Sequence, residues 1–99
     1  VASRSARMTT LSSICFLRSE SFALVRMSAA GDPGSHASEI ETACPFPIRL
    51  AAIEAGGPQR EAELALMFAR DRIRPGWFSL SPALDRYIAR LGDVSRSRQ

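Results

Sequence analysis

With 99 residues the chain has room for one domain, and it can bury only about two-thirds of the surface that its unfolded form exposes, so its core must be compact. Its 45% hydrophobic and 23% charged contents are those of a soluble globular domain, and no apolar run approaches the length of a membrane span. All 13 basic residues are Arg, and the net charge is +3. A GC-rich coding sequence explains that bias, yet an Arg-only surface also tolerates nucleic acid, because guanidinium groups stay charged and grip phosphate with two hydrogen bonds.

Residues 1 to 13 are rich in Ser, Thr, Ala and Arg and hold no acid, which predicts a disordered segment. The short run Ile14 to Leu17 is cut off by Arg18, so it does not make a signal-peptide core. Ile14 to Leu17 and Phe22 to Val25, joined by a polar break, predict a β-hairpin that Met27 can extend. Ser28 to Gly34 reads as a loop, and Ser35 to Thr42 as a short helix with Ser35 as N-cap and Ala37 and Ile40 facing inward. Pro45 and Pro47 force an extended segment into a third strand, Ile48 to Ala55. On it Ile48, Leu50 and Ala52 share one face and Arg49, Ala51 and Ile53 the other.

Gly56-Gly57 ends that strand, and Pro58 opens a helix to about Arg70 with the seam Leu64, Met67 and Phe68. Arg74-Pro75-Gly76 leads into Trp77-Phe78, rings expected to cap the core. A last helix begins with Ser81 as N-cap and Pro82 at its first position, carries Leu84, Tyr87, Ile88 and Leu91 as its stripe, and stops at Gly92, leaving residues 93 to 99 as a fraying tail. Cys15 and Cys44 have no partner at metal-ligand spacing, which argues against zinc. Two reduced, mostly buried thiols of a cytoplasmic protein is the expectation, and a disulfide in an oxidising compartment the alternative. The resulting fold class is α/β (α+β), with residues 14 to 92 as the domain.

Glu41-Thr42-Ala43-Cys44-Pro45-Phe46-Pro47-Ile48-Arg49-Leu50, then Glu61-x-x-Leu64-x-x-x-Phe68, then Trp77-Phe78-x-Leu80-Ser81-Pro82 together resemble the GIY-YIG nuclease superfamily, in particular its compact bacterial and phage branch. The likeness covers Glu41 to Ile88 and is faint from Ile14 to Ser38. It implies a three-stranded, mainly antiparallel sheet flanked by helices in the order β-β-α-β-α-α. It also implies a metal-dependent endonuclease in which a tyrosine activates water, an arginine stabilises the phosphate and a glutamate holds Mg²⁺ or Mn²⁺. The chemistry is sound, since a cation and a guanidinium must offset the charge around phosphorus while a base deprotonates water.

On that resemblance Glu61 is the metal ligand and a catalytic residue, and the position of the phosphate arginine falls on His36. The hairpin tyrosine falls on Cys15, the Lys-Ile-Gly segment on Arg26-Met27-Ser28, the helix histidine on Ala65 and the acid before Trp-Phe on Gly76. Each has a plainer reading. Glu61 is also a carboxylate favoured by a helix N-terminus, and His36 an exposed histidine without a role. Arg70, Arg72 and Arg74 alternate along a segment that, if extended, contacts phosphates together, and otherwise is a solvated face. Trp77 and Phe78 stack on bases in one reading and pack in the core in the other.

The expected function is a GIY-YIG-like DNA-binding domain with weak or no phosphodiesterase activity, binding DNA through Arg49, Arg70, Arg72 and Arg74. The alternative is a non-catalytic interaction or regulatory module that keeps the fold. A degraded N-terminal half, in which Ile14 to Met27 forms no hairpin, is the third reading.

Overall fold

The computed structural model of the chain describes residues 12–97, apart from residue 20 and the side chains of residues 93–97. The disordered segment expected at the start falls on residues 1–11, outside the described residues, but Ser13 already belongs to a strand. Strands β1 (Ser13–Ser19) and β2 (Leu24–Ala30) pair antiparallel as a hairpin, and β3 (Ile48–Ala55) pairs with the other side of β1.

Three helices are described: α1 (Pro33–Ala43), α2 (Pro58–Met67) and α3 (Pro82–Ser97). Two further strands correct the expected architecture. After a 3₁₀ turn at Ala69–Asp71, β4 (Arg72–Arg74) and β5 (Trp77–Ser79) form a second hairpin, and β5 adds to β2. The sheet is therefore five-stranded, in the order β3-β1-β2-β5-β4, not three-stranded, and the chain order is β-β-α-β-α-β-β-α. Each extra strand is too short to show a period-2 pattern. The signal that does exist is Pro75-Gly76, a proline followed by a glycine at φ +83°, the pairing that a type II turn uses. A Cβ on Gly76 would also lie 2.3 Å from a guanidinium nitrogen of Arg26.

Several boundaries move for local reasons. β2 begins at Leu24, not Phe22, because Ser19 Oγ accepts the N–H groups of Ser21 at 3.1 Å and Phe22 at 2.8 Å, which turns the chain before it can pair. Asp32, not Ser35, caps α1: its carboxylate accepts Ser35 N–H at 3.3 Å, and Pro33 opens the helix. In consequence Ser28 to Ala30 are strand, where a loop was expected. Gly92 does not stop α3, since one glycine costs a helix only about 1 kcal/mol. Ser81 does cap that helix, with Oγ accepting Leu84 N–H at 3.2 Å.

Ile14, Cys15, Phe16 and Leu17 are all wholly buried, so β1 is covered on both faces. On one face Ile14, Phe16, Val25, Met27 and Phe78 pack under α2 and α3 with Leu64, Phe68, Leu84 and Ile88. On the other, Cys15, Leu17 and Ile48 pack with Ala37 of α1. Burying each large side chain is worth about 1.5–3 kcal/mol. A bulge between Phe16 and Leu17 lets β3 slip by one residue, so Ala52 joins the α2/α3 core while Ile48 and Leu50 stay on the α1 side, where a shared face was expected. Met67 is exposed, so the seam of α2 is Leu64 and Phe68. Only Phe78 of the two adjoining rings enters the core.

A polar clamp fixes α2 against β3 and α3. Arg60 Nε donates to Glu54 at 2.5 Å, and its terminal nitrogens donate to Glu63 at 2.9 Å and to Tyr87 Oη at 3.0 Å. The Tyr87 hydroxyl in turn donates to the second oxygen of Glu54. Burial, and then the bond to the Glu54 carboxylate, hold the Tyr87 phenol above its ordinary pKa. A folded-state pKa above the unfolded value contributes stability that is complete below about pH 10 and is lost as pH rises through the folded value. Tyr87 is the only tyrosine. Tyrosinate absorbance should therefore rise at higher pH in the native protein than in denaturant. Tyr87→Phe should cost about 1 kcal/mol at neutral pH in a urea melt and flatten the alkaline loss of stability.

Candidate functional site

Glu61 lies in the first turn of α2, whose entry is set by Gly57 as N-cap and Pro58 at the first helical position. Its neighbour Arg60 is held by the clamp, which fixes the orientation of this turn. Strand β5 ends early: Met27 N–H donates to Gly76 O at 2.8 Å, and the next amide of β2 facing the same way, that of Ala29, has no strand partner there. Glu61 Oε1 accepts that N–H at 3.2 Å. The carboxylate thus continues the ladder beyond the end of β5.

Beside Glu61 opens a groove of about 570 Å³ between α2 and the β4–β5 turn, with Met27, Ala65 and Phe78 forming apolar wall and Arg72 and Gly76 at its other side. Three positions singled out in the sequence, Glu61, Ala65 and Gly76, come together here. Leu66, 79% exposed, stands at the rim.

His36 and Cys15 lie elsewhere. His36, in the first turn of α1, has Nε2 2.6 Å from Ser28 Oγ, so it meets β2 one residue before Glu61 does but from the α1 face. Cys15 is the cross-strand neighbour of Ser28 on that same face, is wholly buried, and has its thiol pKa raised by burial. Both cysteines are free.

The four arginines do not share a surface. Arg49 is on β3, one edge of the sheet, whereas Arg72 and Arg74 are on β4, the other. Residues two apart on a strand normally face the same way, but a register shift between Arg72 and Arg74 intervenes. Arg72 pairs with core-facing Phe78 and lines the groove, and Arg74 pairs with Trp77 on the opposite face. Arg70 sits in the 3₁₀ turn beside a second depression.

For a divalent cation the described residues contain no group of three His, Cys, Asp or Glu side chains. With Glu61 Oε1 on the Ala29 amide, the donor set fits at most an ion held through the other carboxylate oxygen, with water and phosphate supplying the rest, as Mg²⁺ commonly accepts. No helix among the described residues is long and apolar enough to cross a membrane. Comparison with family models, curated proteins and solved structures finds no match.

The two roles of Glu61 separate by substitution. Glu61→Gln keeps an oxygen for the Ala29 amide and should change unfolding free energy by less than about 0.5 kcal/mol, while Glu61→Ala orphans that amide and should cost about 1–2 kcal/mol. Urea melts of both variants check this, and equal loss in both would show that the charge, not the hydrogen bond, stabilises the site.

Proposed function

We propose that this chain is a DNA-binding domain of GIY-YIG-like build in which phosphodiester hydrolysis is weak or lost. The observation that carries the reading is the groove where Glu61, Ala65 and Gly76 meet beside Arg72. A phosphate entering it would meet the Arg72 guanidinium, with Arg70 exposed nearby on the adjoining turn. The chain's net charge of +3 favours such an anionic partner.

Hydrolysis needs more than charge neutralisation. A bound Mg²⁺ or Mn²⁺, held by Glu61, would offset phosphate charge and acidify a water. The residues that would complete the chemistry are poorly placed. Cys15 is enclosed under α1 with its thiol held protonated, so it cannot serve as a base in the groove. His36 is tied to Ser28 on the far face, and Ala65 has no polar group to offer. What remains is a binding groove with a single carboxylate.

Two measurements test this. Duplex DNA should bind with an affinity that falls steeply with salt, and Arg70→Ala with Arg72→Ala should reduce the salt slope by about 2. Plasmid incubated with Mg²⁺ or Mn²⁺ should be cut slowly or not at all. Rapid metal-dependent cutting abolished in Glu61→Gln would overturn the inactive reading, and no binding at low salt would overturn the nucleic-acid reading.

Exposed Leu66 and Met67 on α2 and exposed Ile73 on β4 favour a second reading as an interaction module. It requires association that depends on protein concentration and is insensitive to salt, which sedimentation at two ionic strengths would reveal.

A further inference from the structure

On the sheet face opposite the groove, three rings form a continuous row. Phe22 meets Phe46 edge to face at 5.1 Å between centroids, and Phe46 meets Trp77 in the same manner at 5.9 Å. They come from three separate places: the β1–β2 bend, the segment after α1, and β5. The row is not closed over: Phe22 is 54% exposed, and Phe46 and Trp77 are half-buried. In an edge-to-face pair the edge of one ring meets the face of the next, and Phe22, the most exposed of the three, keeps the most accessible ring surface.

Cations stand on both sides of Trp77, at one end of the row. The Arg26 guanidinium lies 5.8 Å from the Trp77 ring centroid and donates to the carbonyl of Pro75 at 3.2 Å, a neutral partner, and it forms no ion pair with another described residue. Gly76 makes room for it, since any Cβ there would collide with it. On the other side of Trp77 in the ladder stands Arg74, exposed and without an ion pair to any described residue. Arg26, Trp77 and Arg74 are thus successive cross-strand neighbours on β2, β5 and β4.

We propose that this row is a binding surface for unpaired nucleic acid, with a nucleobase stacking on the exposed ring of Phe22 and backbone phosphates resting on Arg26 and Arg74 beside Trp77. A sequence-tolerant single-strand site needs exposed aromatic surface with positive charge beside it, and this face carries both. An apolar protein surface would match the rings and leave both cations unmatched, whereas a single strand offers bases to the one and phosphates to the other. The inference does not depend on the groove, because duplex binding through Arg70 and Arg72 can hold while this surface fails, and the reverse.

Trp77 is the only tryptophan, so its emission reports on the surface directly. Titration with an oligo-dT at low salt should quench it. Phe22→Ala should weaken binding about tenfold, and Arg74→Ala should weaken it and reduce the salt slope by about 0.7. Both replace exposed side chains, and unchanged thermal melts should accompany them. Arg72→Ala should lower duplex affinity and leave the oligo-dT titration unaltered. Absence of quenching at low salt would overturn the proposal, as would quenching unaffected by Phe22→Ala and Arg74→Ala together. Equal binding of an abasic oligomer of the same length would overturn the stacking role of the rings.

Discussion

Four consecutive residues, Ile14 to Leu17, have no exposure at all, and the rest of the architecture follows from that run. Alternate side chains of a strand point to opposite faces, so a strand buried at every position must be covered on both. α1 covers Cys15 and Leu17, while α2 and α3 cover Ile14 and Phe16. It must also be paired along both edges, by β2 and β3. A chain of this size has few elements to spend, and this central strand commits most of them.

What is left over makes the surface chemistry. β5 is shorter than β2, so the ladder ends at Met27 and the amide of Ala29 stands without a strand partner. A half-buried amide needs an acceptor, and Glu61 supplies it from α2. The same shortfall opens the groove between α2 and the β4–β5 turn. Glu61 is therefore structural and surface-facing at once, one oxygen on the backbone and the other available. The clamp of Glu54, Arg60 and Tyr87 holds the turn that carries it. Its Glu54 carboxylate is less exposed than the Asp85 carboxylate of the Arg18–Asp85 pair, so solvent screens it less.

Legibility in the sequence tracked how local each cause was. Strand β3 has the bounds read from its flanking Pro47 and Gly56, and α3 starts where Ser81-Pro82 said it would, because both signals act within a few residues. Asp32-Pro33 was an equally local cap signal, but the loop-forming company of Gly31 and Gly34 obscured it. The β4–β5 hairpin was not legible, since strands of three residues derive their stability from the neighbouring β2 rather than from any pattern of their own. Nor was the clamp, which unites residues up to 33 positions apart: Glu54 sat inside an apolar strand, and Tyr87 looked like one more member of a helix stripe. Of the candidate site, the groove positions Glu61, Ala65 and Arg72 converge, whereas His36 and Cys15 fall on the other face because β1 and α1 carry them there.

The bulge at Ile73 shows how one backbone irregularity divides a surface. Read as an alternating strand, Arg72 and Arg74 would reinforce one another on a single face. With the register shifted, one points into the groove with Phe78 and the other stands beside Trp77. The β4 edge thereby supplies one cation to a concave, carboxylate-bearing face and one to a flat, aromatic face. In the groove the Glu61 carboxylate opposes any anion that approaches Arg72, whereas the guanidinium groups beside Trp77 pair with no carboxylate among the described residues. The register shift is what turns two cations only two positions apart in the chain toward different faces.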